Sequence, residues 1–149
     1  MNAEQYKHLL QDLARVSGLA DPASLVGQGR VRVGDLNAVL EHDPHYDENL
    51  LQLRFMLGRF PPEGTDALAK ALLEANYISG YGGECVFSLF PESDDVVITM
   101  RLRLEEGMTA QELWQEISDV ARQGSEMWER VVAQAGMTQG ALLPELAMR

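Results

Sequence analysis

Arg30-Val31-Arg32-Val33-Gly34-Asp35-Leu36-Asn37-Ala38-Val39-Leu40-Glu41 decides the fold class. Val31 and Val33 alternate with arginines, and Leu36, Ala38 and Leu40 alternate with Asn37, Val39 and Glu41. A period of two places alternate side chains on opposite faces of a strand. Gly34-Asp35 between the runs suits a two-residue type II′ turn, which needs glycine at its first central position. The segment therefore predicts an antiparallel hairpin. Val31, Val33, Leu36, Ala38 and Leu40 share one face, and Arg30, Arg32, Asn37, Val39 and Glu41 share the other.

Further strands follow downstream. The stretch Glu41-His42-Asp43-Pro44-His45 reads as a loop ending the hairpin, after which Leu51, Leu53, Phe55 and Leu57 alternate with Gln52, Arg54 and Met56 until Gly58 and Pro61-Pro62. Cys85, Phe87 and Leu89 form a fourth alternating run. Val96, Ile98, Met100, Leu102 and Leu104 form a fifth, beyond the turn Pro91-Glu92-Ser93-Asp94-Asp95.

Three helices are expected around these strands. Asn2 and Gln5 offer a capping box for the first. Its apolar stripe is Tyr6, Leu9, Leu10, Leu13 and Val16, and Gly18 with Asp21-Pro22 stops it. Thr65 is a suitable N-cap for a short helix carrying Leu68, Ala71, Leu72 and Ala75, which ends near Asn76-Tyr77. Gly80, Gly82 and Gly83 read as a flexible connection. Thr109 and Glu112 form a capping box for the longest helix, lined by Leu113, Ile117, Val120, Met127 and Val131, with Trp114 and Trp128 on a neighbouring stripe and Gly136 as C-cap. The order is α-β-β-β-α-β-β-α. It predicts an α+β fold with a twisted antiparallel sheet packed by helices. A single domain over 1–136 is expected, with 137–149 as a loosely ordered tail.

Charge narrows the partners. The 149 residues carry 23 Asp and Glu against 12 Lys and Arg, a net charge of −11. Such a charge repels phosphate backbones and anionic lipid, so neither nucleic acid nor a membrane is an expected partner. One cysteine, Cys85, excludes an internal disulfide and fits a reducing compartment. The start, Met1-Asn2-Ala3-Glu4-Gln5, has no basic segment leading into an apolar one, and a cytoplasmic location is expected.

No nucleotide-binding glycine motif and no nucleophile elbow occurs. His42 and His45 among the carboxylates of Glu41–Glu48 offer divalent-ion ligands, but a solvated loop between two strands is the favoured reading, since spacing alone does not make a site. Cys85 lies in an apolar run, as a small buried hydrophobe does. Gly80-Tyr81-Gly82-Gly83 lacks a lysine and precedes a strand rather than a helix, so it reads as a linker and not a phosphate cradle. Neither a catalytic residue nor a cofactor is expected. The residues leave open a small metal- or thiol-dependent enzyme using His42, His45 or Cys85, and an interaction or regulatory protein.

Several phrases in consistent order resemble the class I type III secretion chaperones, the CesT or Tir-chaperone family. They are Tyr6–Leu13 with Gly18-Leu19, Leu51-Gln52-Leu53 through Gly58-Arg59-Phe60-Pro61, Leu72-Leu73-Glu74-Ala75-Asn76, Phe87-Ser88-Leu89 through Arg101-Leu102, and Glu126-Met127-Trp128. The resemblance spans about residues 2–135. It implies a homodimer without enzymatic activity, acting in the bacterial cytoplasm in a virulence-associated secretion system. It implies that the dimer binds the N-terminal segment of a secreted effector in extended form, keeps it soluble and secretion-competent, and delivers it to the export apparatus, with the secretion ATPase as a further partner. On this reading Leu9, Leu10, Leu13, Val31, Val33, Leu51 and Phe55 supply client-facing apolar surface, and Leu68, Leu72 and Tyr77 lie at the dimer contact. Plain core is the competing assignment for the strand residues, because an amphipathic strand must bury one face.

Overall fold

The computed structural model describes residues 1–63, 66–79 and 85–137. Its elements are α1 (Ala3–Val16), α2 (Pro22–Gln28), β1 (Arg30–Val33), β2 (Leu36–His42), α3 (Pro44–Asp47), β3 (Leu50–Arg59), α4 (Asp66–Ser79), β4 (Cys85–Leu89), β5 (Asp95–Arg103) and α5 (Ala110–Gln134). The five strands form one antiparallel sheet in the order β1-β2-β3-β5-β4, an α+β architecture.

The hairpin forms in the expected register. Val31 faces Ala38, Arg32 faces Asn37 and Val33 faces Leu36. Gly34 takes φ of +58° at the first position of the turn, the left-handed region open to glycine at little cost. β3 and β5 run antiparallel: Leu104 N–H donates to the Asn49 carbonyl (2.7 Å) at one end, and Phe60 N–H to the Asp94 carbonyl (2.8 Å) at the other. The β4–β5 hairpin closes with Phe90 N–H donating to the Asp95 carbonyl at 2.9 Å.

Both capping boxes form. Asn2 Oδ1 accepts from Gln5 N–H, and Gln5 Oε1 accepts from Asn2 N–H, each at 2.9 Å. Thr109 N–H donates to Glu112 Oε2 at 2.8 Å, and Glu112 N–H donates to Thr109 Oγ1 at 3.1 Å. Each pair satisfies two donors that a helix start leaves without a partner.

Two short helices were not expected, and both begin at Asp-Pro. Asp21 caps α2, accepting from Ser24 N–H at 3.3 Å and from Ser24 Oγ at 2.6 Å, and Pro22 occupies the first turn. Asp43 caps α3, accepting from His45 N–H at 3.0 Å, and Pro44 again occupies the first turn. Pro22 thus opens a helix as well as following the end of α1, and the expected loop Glu41–His45 contains the start of α3. Smaller differences are that α4 continues past Asn76-Tyr77 to Ser79, and that Val16, placed on the α1 stripe, is half exposed. Thr65, the Gly80–Gly83 connection and residues 138–149 of the tail lie outside the described residues.

The chain divides into two compact units, Met1–Arg54 with Met100–Ala121, and Phe55–Thr99 with Arg122–Arg149. In the first, Leu9, Leu13, Leu25, Leu40, Leu53, Leu102, Leu113 and Ile117 are among the buried apolar side chains; in the second, Phe55, Leu68, Phe87, Val96, Ile98, Trp128 and Val131 are. Trp114 is half-buried. No charged side chain is buried among the described residues. Gly29 locks α2 onto β2 in the first unit. It ends α2 with φ of +69°, and its carbonyl accepts from Leu40 N–H at 2.8 Å. A β-carbon there would collide with the Leu40 carbonyl oxygen. No described helix is long and apolar enough to cross a membrane.

Candidate partner-binding surface

Among the described residues of the second unit, the most exposed large apolar side chains lie on α4. Leu68, Ala71 and Leu72 bury one stripe of this helix. Leu73, Tyr77 and Ile78, on another face, are 70%, 77% and 74% exposed. With Asp66, Ala69, Lys70 and Glu74 they line a shallow depression of about 650 Å³. Lys70 and Glu74 pair across one turn at 3.7 Å, an exposed contact that contributes little energy. Covering a side chain the size of Leu73 or Ile78 stabilises by about 1.5–3 kcal/mol, so the stripe is a strong attractor for another apolar surface.

The edge strand β4 carries Val86 and Leu89, and Phe90 follows it, each 42–50% exposed. Asn76 fastens α4 to this strand. Its Oδ1 accepts from Phe87 N–H at 2.7 Å, and its Nδ2 donates to the Phe87 carbonyl at 3.0 Å.

The residues expected at the client surface are not among these exposed side chains. Leu9, Leu10, Leu13, Val31, Val33, Leu51 and Phe55 are all buried in their units. The alternation that marked Val31, Val33, Leu51 and Phe55 marks the core face of the sheet. Of the expected dimer residues, Leu68 and Leu72 are buried and Tyr77 is exposed. Leu73 and Ile78, exposed on the same helix, were not singled out from the sequence. The signal for them was the surplus of apolar residues in Leu68-Ala69-Lys70-Ala71-Leu72-Leu73-Glu74-Ala75-Asn76-Tyr77-Ile78, too many for one buried stripe.

Two of the residues weighed for metal or thiol chemistry, His42 and Cys85, have structural partners. His42 Nε2 lies 2.8 Å from the Glu48 carbonyl, and its ring stacks at a tilt on Tyr6 with centroids 4.4 Å apart. Among the described residues, no group of three or more His, Cys, Asp or Glu is placed to hold a metal ion. Cys85 is buried with its thiol 3.7 Å from the Met127 sulfur, and burial pushes its pKa up to about 11. A thiol so protonated is a poor nucleophile.

Comparison with known proteins adds the lineage. No curated protein matches the chain. Among solved structures, a chain of the HopA1-SchA chaperone-effector complex is similar, at 16% identity over 88% of this chain and 93% of that one, with a TM-score of 0.48. The profile of one family, described as the Tir chaperone protein (CesT) family, matches residues 8–121. A match over that much of 149 residues, covering α1 through the first half of α5, makes this chain a member of the CesT family.

Proposed function

We propose that the chain is a type III secretion chaperone that works in the bacterial cytoplasm as a homodimer joined through the exposed face of α4. The dimer holds the N-terminal segment of a secreted effector in extended form, soluble and ready for export, and delivers it to the secretion ATPase. The reading requires neither a catalytic step nor a cofactor. The observation that carries it is the row Leu73, Tyr77 and Ile78, apolar and uncovered in a chain of this family.

The assignment of contacts follows from exposure. Tyr77 makes the dimer contact together with Leu73 and Ile78, while Leu68 and Leu72 hold the helix from within. Among the residues expected to face the client, Leu9 at 8% and Val31 at 6% exposure offer only their rims. Exposed apolar side chains suit an extended polypeptide, which offers alternate side chains to them.

Light scattering on the purified protein tests the dimer, with twice 16.5 kDa as the expected mass. A strictly monomeric protein at micromolar concentration overturns the dimer. Mass spectrometry of what co-purifies from the native host tests the client, the expected result being one or more secreted proteins bound through their N-terminal segments.

A further inference from the structure

The outward face of the sheet in the first unit carries a concentration of charge opposite in sign to the chain as a whole. Arg30 and Arg32 lie on β1, opposite in phase to the buried Val31 and Val33. Arg54 on β3 pairs with Glu41 on β2 at 2.5 Å, which places both on that same outer face. Along β5 the buried Met100 and Leu102, with Leu104 just after the strand, alternate with the exposed Arg101 and Arg103, which therefore face outward. Five of the chain's twelve Lys and Arg therefore share one face with Glu41. Arg30, Arg32 and Arg103 are exposed and make no ion pair with any described residue.

We infer that this face binds an acidic extended polypeptide segment, and that the segment belongs to the client. The inference rests on the chaperone reading above. Same-face side chains on a strand recur about every 7 Å, so Arg30 with Arg32 matches the spacing of alternate carboxylates on an extended chain. Guanidinium forks pair bidentately with carboxylates. The net charge of −11 does not prevent this, because at about 0.15 M salt the Debye length is about 8 Å and distant acids are screened. It does disfavour nucleic acid, whose continuous phosphate charge extends over the acidic remainder of the surface. The whole molecule thus steers basic groups toward itself, while this face selects acidic ones.

The test is fluorescence anisotropy with the full chain and short labelled peptides of alternating Glu and Thr, or of alternating Lys and Thr. The Glu-Thr peptide is expected to bind, and more weakly as salt rises. The double reversal Arg32→Glu/Arg103→Glu, with unchanged circular dichroism, is expected to lose binding tenfold or more. Arg15→Glu, on α1, is expected to leave it unchanged. Equal binding of the Lys-Thr peptide, or retained binding in the double reversal, overturns the site. Equal binding of single-stranded DNA overturns the choice of polypeptide over a generic polyanion. A chain that binds the Glu-Thr peptide and carries no secreted protein upholds this site and fails the chaperone reading. A chain that carries an effector and ignores the peptide does the reverse.

Discussion

Asn76 acts as a substitute strand for Phe87. Its side-chain amide makes the same pair of hydrogen bonds with the Phe87 backbone that a neighbouring strand would make, at 2.7 and 3.0 Å. β4 is last in the strand order, and Phe90 N–H is directed at β5. Backbone groups alternate sides along a strand, so Phe87, three positions away, directs its own outward. A helix side chain thus closes the middle of a sheet edge, the place where strands otherwise join unwanted partners.

Asn76→Ala removes both bonds and leaves the Phe87 donor and acceptor without a partner. The expected loss is about 2–3 kcal/mol by urea unfolding, with faster exchange of the Phe87 amide hydrogen. Unchanged exchange at Phe87 would show that the amide is not what protects it.

Tyr6→Phe is expected to stabilise by about 1 kcal/mol, because the Tyr6 hydroxyl is buried without a hydrogen-bond partner. Burial also raises the Tyr6 pKa. A group whose pKa is raised on folding contributes stability below its unfolded pKa, about 10 for tyrosine, and loses it as pH rises further. The native protein is therefore expected to weaken above that pH by more than Tyr6→Phe does, as measured by urea midpoints across the alkaline range.

Gly29→Ala and Gly18→Ala separate two costs of a left-handed residue. Both glycines have positive φ, +69° and +65°, but only at Gly29 would the new β-carbon meet backbone. Gly18→Ala is expected to cost about 1–2 kcal/mol from backbone strain alone. Gly29→Ala is expected to cost more, through displacement of the bond between the Gly29 carbonyl and Leu40 N–H. Equal losses in thermal unfolding would remove the steric argument.

Leu73→Glu places a charge in the middle of the α4 stripe at a side chain that is largely exposed. The folded protein is expected to keep its unfolding midpoint under dilute, monomeric conditions while light scattering shows the mass fall by half. A dimer that survives the substitution would move the interface away from this face.

The Asp21 cap makes α2 sensitive to acid. The Ser24 hydroxyl and N–H hold the Asp21 carboxyl below the usual carboxylate range. A group with a lowered folded pKa contributes stability above its unfolded pKa, and that contribution is lost as pH falls through the folded value. Asp21→Asn is expected to flatten this part of the acid response, read from unfolding midpoints between neutral and acid pH.

The strands and the long helices were legible because their information is local: period two in β1, β2 and β5, period 3.6 and capping boxes in α1 and α5. The Asp-Pro starts of α2 and α3 were misread because proline interrupts a helix interior but suits its first turn, and one dipeptide carries both meanings. The client surface was harder. Periodicity shows which residues of Val31, Val33, Leu51 and Phe55 share a face, but not whether that face meets the protein's own helices or a partner. Asn76 gave no signal at all, since its role depends on Phe87 eleven positions later and on the strand order.

Cys85 has a practical consequence. Its high pKa and its place against Met127 make the one native thiol slow toward alkylating reagents while the protein stays folded. Its labelling rate is therefore a clock for opening of the unit around β4. A second cysteine introduced at an exposed position can be labelled selectively without replacing the first, so one chain can carry both a surface probe and its own internal record of unfolding.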